Sequence, residues 1–208
     1  MLTATSQAFT DNPATQNKNQ GVQPMTNSST TVIETERLIL RRLTMDDLDA
    51  LFALYRDPEV RTYFPEGTLT YDETKEELEW IINVYYGQYG WGLWATIHKP
   101  TGAFIGRCGL LPWTIDGRHE VEVAYLLDRA YWRQGLATEA AQAIVHYAFT
   151  QLHLSRLICL IDAEHPASQH VAEKIGMTFE KAIVDDKGPA LLYAMGKPGA
   201  RSTAAQLE

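Results

Sequence analysis

Apolar spacing first becomes regular near residue 32. Ahead of it, residues 1–31 are rich in Thr, Ser, Asn and Gln and read as a disordered tail, with Met25 a candidate start of translation. RLILRR (37–42) reads as a strand. Thr44 then caps a helix that carries Asp46 and Asp47 in its first turn and Leu48, Leu51, Phe52 and Tyr55 as an apolar stripe. DPEVRTYFPEG reads as a short helix and a loop, and Thr70 with Glu73 spells a capping box that opens a second helix to about Tyr86. GLWATIHK and AFIGRCGLL are two strands about a turn at Pro100–Gly102, followed by a strand at HEVEVAYLLD (119–128). Beyond Gly135, the residues Ala137, Ala141, Ile144, Val145, Ala148 and Phe149 recur on one helical face. RLICLID (156–162) is apolar almost throughout, as a strand covered on both faces should be. PASQHVAEKIG is a helix closed by Gly176, and TFEKAIV with ALLYAMG makes a last hairpin around Asp186–Gly188.

This order predicts an α/β domain with a mixed sheet and crossover helices, and departs from the regular βαβ alternation of a dinucleotide-binding domain. One folded unit, 32–197, lies between the leading tail and a flexible end, 198–208. A chain of 208 residues with 45% hydrophobic content is long enough to bury a full core. A formal net charge of -8 argues against a general nucleic-acid binder, which needs a basic face. Cys108 and Cys159 sit in apolar runs and read as buried reduced thiols. No run approaches the length of a membrane-crossing helix and the start lacks a secretory pattern, so no membrane partner is expected and the expected location is cytoplasmic. His165 and His170, five apart on a helix, do not share a face, and no metal is expected.

The candidate chemistry begins at WRQGLAT. Glycine at a helix entrance costs conformational entropy. A helix N-terminus offers unpaired N–H groups and partial positive charge, a ready site for phosphate. Gly135 removes the Cβ that would block close approach, Ala137 stays small one turn in, Thr138 adds a hydroxyl and Arg133 a cation. The segment Arg133–Thr138 therefore fits a pyrophosphate cradle, although a plain strand-to-helix turn would use the same glycine. Neither GxxxxGK[ST] nor GxGxxG is present.

The pattern resembles the acyl-CoA loop of the GNAT N-acetyltransferases, in the wording of their RimJ/RimL branch. ETERLILRRLTMDDLDALFALYRDPEV, EVEVAYLLDRAYWRQGLATEA and HPASQHVAEKIGMTFE resemble that branch's opening, centre and late helix, in the right order and across most of the folded unit. The resemblance implies a mostly antiparallel central sheet with flanking helices and splayed fourth and fifth strands. It also implies acetyl transfer from acetyl-CoA to an amine. In the loop pattern, Trp132 takes the first position, Gly135 the fourth and Ala137 the sixth. The backbone of Arg133, Gln134, Gly135, Leu136, Ala137 and Thr138 would hold the pyrophosphate, and that of Tyr125, Leu126 and Leu127 would pair with the pantetheine arm.

An attacking amine must lose a proton, and a carboxylate can take it. On the 119–128 strand, Glu120 and Glu122 share one face. Glu122 matches the branch's acidic position and is the candidate base or amine-binding residue, while Glu120 suits a solvated face. The tyrosine that many GNAT enzymes carry in the late helix falls at Ala172. Ser168 matches a serine of the branch and is the candidate partner of the leaving thiolate; a first-turn serine bonded to its own backbone is the alternative. His165 stands where the family usually has a coenzyme-contacting Asn. Tyr63, Phe64 and Pro65 are candidates for the wall of the acceptor site, with Trp113 on the opposite rim, whereas Trp80 and Tyr85 read as core. Two functions follow: an enzyme that acetylates a small-molecule or peptide amine, as monomer or homodimer, or a non-catalytic acyl-CoA-binding module of the same fold.

Overall fold

The computed structural model describes residues 30–185 and 188–197. The expected leading tail up to residue 29, the expected end 198–208, the candidate start at Met25 and the hairpin tip at Asp186 and Lys187 lie outside the described residues, while Thr31, expected in the tail, opens the first strand. Eight strands form one open sheet in the order β1-β2-β3-β4-β5-β6-β8-β7. They are β1 (Thr31–Glu34), β2 (Leu38–Arg42), β3 (Leu93–His98), β4 (Ala103–Ile115), β5 (Arg118–Leu127), β6 (Arg156–Asp162), β7 (Thr178–Asp185) and β8 (Gly188–Gly196). Every neighbouring pair is antiparallel except β5 with β6. Among the described residues, no helix is long and apolar enough to cross a membrane.

Local chemistry sets the helix ends. Helix α1 (Leu48–Tyr55) is entered through a 3-10 turn, Met45–Asp47. There the buried Asp47 carboxylate takes the Thr44 N–H at 2.9 Å and the Arg41 guanidinium at 2.6 and 2.8 Å. Helix α2 (Tyr71–Trp80) begins at the reciprocal box that Thr70 and Glu73 spell, with bonds of 2.8 and 3.3 Å. It continues as a π-helical stretch, Ile81–Tyr85, and a last turn, Tyr86–Gln88. The wider turn shifts the phase of the helix. Ile81, Tyr85 and the adjacent Tyr86 can then all be buried. Helix α3 (Leu136–Thr150) lies across β1, β2, β4 and β5. It buries Leu136 and Ala140 as well as the face from Ala141 to Phe149, and Ala137 is only half-buried. Helix α4 (Pro166–Lys174) has proline in its first turn. At its end, Met177 N–H reaches Ala172 O and Gly176 N–H reaches Glu173 O, both at 3.0 Å, with Gly176 at φ 92, a Schellman closure.

Two elements differ from the sequence reading. β1 was hidden because only Ile33 of its four residues is buried, too little to set a period. With β1 counted, the parallel junction falls between the fifth and sixth strands. The stretch from Asp57 to Gly67 is a chain of turns with no helix, closed by Phe64 N–H to Arg61 O at 3.0 Å and Gly67 N–H to Phe64 O at 2.9 Å. Pro65 keeps the residue before it out of helical backbone, so no helix propagates.

Candidate functional site

Strand β5 meets its two neighbours very differently. It pairs with β4 without a break from Gly106↔Leu127 to Ile115↔Arg118. Its pairing with β6 is a single register position, Glu122↔Ile158. Side chains take over beyond it: Cys159 Sγ donates to Val123 O at 3.2 Å, and Leu160 N–H points to Glu122 Oε1 at 3.4 Å. The two strands therefore part from Glu122 onward, and Tyr125, Leu126 and Leu127 lie on the parted stretch of β5.

Glu122 stands where the strands separate and is 9% exposed. Its Oε2 accepts the Trp113 indole N–H at 2.6 Å. Trp113 pairs across from Glu120 in the register, so the indole and the Glu122 carboxylate share a face. A carboxylate held this way is fixed in direction and still keeps lone pairs to accept a proton. Glu120, read from sequence as solvated, is paired instead with Arg156 at 3.0 Å, and its side chain is 10% exposed.

At the far end of β5 the chain turns through a 3-10 segment, Arg129–Tyr131, into the loop before α3. Trp132 Nε1 donates to Leu127 O at 2.8 Å, which ties the loop to the strand. Arg133 (φ 60) and Gly135 (φ 78) are both left-handed, and Gly135 is the N-cap of α3. The first intrahelical bond is Glu139 N–H to Gly135 O at 3.0 Å. The N–H groups of Leu136, Ala137 and Thr138 precede it and point out of the helix start. A Cβ on Gly135 would meet one atom within 4 Å, the Arg37 Nη2 at 3.6 Å, so the approach to these amides is open. That openness, with the orphan donors behind it, fits a diphosphate.

The loop is held from the sheet side. Arg37 Nη1 donates to Gln134 O at 2.9 Å while its Nε bonds Glu139 Oε2 at 2.6 Å. Glu139 Oε1 accepts from Thr35 Oγ1 at 2.6 Å and from Arg37 N–H at 2.9 Å. Burial works against the Glu139 anion, yet the bonds from Thr35 and Arg37 hold its carboxyl below the ordinary value. Sequence reasoning missed this clamp; the Glu139 position in the first turn of the helix was its one visible trace.

Across the parting, α4 presents Ser168. Its Oγ lies 2.9 Å from the Tyr125 hydroxyl, and Tyr125 Oη is also 3.0 Å from Ser168 O. Ala172, one turn on, is fully buried. His165, the N-cap of α4, stacks on Tyr63 with ring centroids 3.9 Å apart and planes 12° apart. Burial holds the His165 imidazole below the ordinary histidine value, with Asp162 opposing it. The turn segment after α1 thus reaches one rim of the parting through Tyr63. It is tied to the other rim by Arg129, which bonds Asp57 at 3.3 Å and Glu59.

Phe64 turns onto Arg61, whose guanidinium carbon lies 4.3 Å from the ring centroid. Beneath it, Arg107 Nε donates to the Tyr55 hydroxyl at 2.5 Å, which donates to Glu77 at 2.6 Å. Arg61 and Arg107 are 4% and 5% exposed. The only sequence trace of this buried group was a lone arginine inside the apolar run of β4. Half-buried Trp80 and buried Tyr85 belong to the core, as read.

Likeness to known proteins bears on this geometry. The acetyltransferase (GNAT) domain family matches residues 37–178. YkkB, an uncharacterised protein of Bacillus subtilis, is 37% identical over 164 residues, which is 78% of this chain and 94% of YkkB. An acetyltransferase from Agrobacterium tumefaciens has a TM-score of 0.69 at 28% identity, over 84% of this chain and 99% of its own. Spermidine N-acetyltransferase from Vibrio cholerae, in complex with CoA and spermine, has a TM-score of 0.64 over 78% of this chain and 97% of its own; at 18% identity this is a likeness of fold alone.

Proposed function

Because the chain belongs to the GNAT acetyltransferase family, whose enzymes use acetyl-CoA, we propose that it is an N-acetyltransferase that acylates a primary amine, on a protein N-terminus or a small molecule, within the RimJ/RimL-like branch. One observation carries the reading: β5 and β6 part at the residue whose carboxylate is buried and aimed, Glu122, and the left-handed loop opens at the far end of the same strand. Bound acetyl-CoA supplies an activated thioester. The amides from Arg133 to Thr138 hold the diphosphate, and the β5 backbone from Tyr125 to Leu127 receives the pantetheine arm as an added strand. Glu122 takes the proton from the attacking neutral amine, directly or through one water, and Trp113 keeps the carboxylate turned to that task. Ser168 hydrogen-bonds the departing sulfur. His165 and Tyr63 form one stacked pair, so the coenzyme contact and the acceptor wall move together.

Tyr63 and Glu122 frame the approach to the thioester. The test is release of free thiol when the protein is incubated with acetyl-CoA and a panel of amines and N-terminal peptides. Turnover with any member supports the reading. Tight coenzyme binding with no turnover across a broad panel would favour the acyl-CoA-binding module.

A further inference from the structure

The sequence puts alanine where many of the family carry a tyrosine, yet a tyrosine reaches the same helix from strand β5. Tyr125 Oη lies within hydrogen-bond distance of both oxygens of Ser168. The Ser168 side chain is not engaged as a helix cap, because the N-cap of α4 is His165 and makes no side-chain cap bond.

Counting protons shows what this three-oxygen group can do. A carbonyl oxygen only accepts, and Tyr125 and Ser168 have one hydroxyl proton each. In one arrangement Tyr125 donates to Ser168 O and Ser168 donates back to Tyr125 Oη; the serine then has only lone pairs for a third group. In the other, Tyr125 donates to Ser168 Oγ, and the serine proton is free to turn outward. A bond received at Oγ also strengthens the donor on that oxygen. It further competes with the habit of helical serines of bonding back into their own helix. Burial pushes the Tyr125 phenol far above its ordinary value, so it stays a donor at working pH and never becomes the acid.

We propose that Tyr125 is a positioning residue which swings its phenolic proton from Ser168 O to Ser168 Oγ, so that the serine's own proton faces the departing coenzyme thiolate. The proposal rests on the acetyl-transfer reading only for the place of the sulfur. The chemistry balances without ionising either hydroxyl. The amine nitrogen forms the C–N bond, its proton goes to Glu122, and the C–S bond breaks with its electron pair on sulfur. Both O–H bonds persist and only their directions change; the thiolate leaves hydrogen-bonded to Ser168 and takes its proton from solvent after release.

The test is binding, read by calorimetry with CoA and desulfo-CoA from pH 6.5 to 9.5. The titratable and charged groups around the pair are Glu122 on β5, Cys108 on β4, Cys159 on β6, and His165 and Asp162 at the entrance to α4. Burial pushes the Cys108 thiol up to about 11 and the Cys159 thiol well above its ordinary value, so neither titrates in this window. The protein should prefer CoA over desulfo-CoA by about tenfold once the coenzyme thiol ionises, the usual worth of a hydrogen bond to a charge. Ser168→Ala should erase that preference, and Tyr125→Phe should erase most of it, weakening CoA far more than desulfo-CoA. The double variant should lose no more than Ser168→Ala alone, because the tyrosine acts through the serine. A full preference in Tyr125→Phe, or losses that add in the double variant, would overturn the proposal. Equal weakening of both ligands in Tyr125→Phe would also overturn it, since that is the mark of a packing role. If the preference behaves as expected but no amine is acetylated, the Tyr125–Ser168 relay to the coenzyme sulfur stands and the transferase reading falls.

Discussion

Strand β5 has two edges, and they obey different rules. Toward β4 the ladder is continuous, and backbone packing is so close that β4 needs glycine. A Cβ on Gly106 would sit 2.1 Å from Leu126 O and 2.8 Å from Leu127 Cα. Toward β6 the ladder is one position long, and what lies beyond it is side-chain chemistry: a buried carboxylate, a thiol, a tyrosine reaching a serine. The first edge spends its hydrogen-bonding groups on holding the sheet together. The second leaves a stretch of β5 outside any ladder with β6 and sets reactive groups beside it. One strand thereby serves as scaffold on one side and as site on the other.

Breaking the scaffold edge should have the largest effect. Gly106→Ala drives a methyl into the backbone of Leu126 and Leu127, which cannot yield, and the expected loss exceeds about 4 kcal/mol, the range reserved for severe core defects; urea unfolding or failure to recover folded protein checks it. On the site edge, Glu122→Gln should leave the fold and coenzyme affinity in place and lower turnover by roughly 10²- to 10⁴-fold, the usual scale of general-base catalysis. Raising the pH should restore part of that loss, because more of the amine is then neutral; near-full turnover in the variant across pH 6 to 9 would remove Glu122 from the mechanism. Gly135→Val should weaken coenzyme binding by about tenfold or more, since it strains a left-handed residue by about 1–3 kcal/mol and puts a branched side chain beside the open amides. The fold should survive, because the Arg37 guanidinium at 3.6 Å is the nearest obstacle. Calorimetry on folded protein decides between these.

Smallest is the clamp beneath the loop. Glu139→Gln should cost about 1 kcal/mol at neutral pH through its weakened bonds to Thr35 and Arg37. The Glu139 carboxyl is held below its ordinary value, so its contribution is present above about 4.5 and is lost as pH falls through the lower folded value. Melting temperatures of the two proteins should converge in acid. A gap that persists there would assign the effect to packing.

Features fixed by neighbours in sequence were legible in advance. The box at Thr70 and Glu73, the closure at Gly176 and the apolar run of β6 each depend on residues a few positions apart, and each formed where local chemistry put it. The parted strands were expected from family resemblance, and no periodicity pointed to them. Contacts that join distant segments left little trace. Nothing in the spacing says that Trp113 will face Glu122, that Tyr63 will lie flat on His165, or that Tyr125 will find Ser168. The π-helical stretch was equally hidden, because adjacent Tyr85 and Tyr86 fit no single helical phase. Sequence marked Glu122, Ser168 and Gly135 as individual candidates, and the side chains that orient them became visible only in three dimensions.

The single pairing position between β5 and β6 has a further consequence. An open sheet ordinarily presents two edges, both at its margins, and each is a template on which another chain can add a strand. Here the interruption creates two more edges in the middle of the sheet, facing each other and flanked by α3 and α4. A protein that keeps backbone available for recognition usually risks aggregation. By placing that backbone at an interior discontinuity rather than at a margin, this fold separates the two: a slender extended molecule can enter, and the strand of a neighbouring protein is kept out.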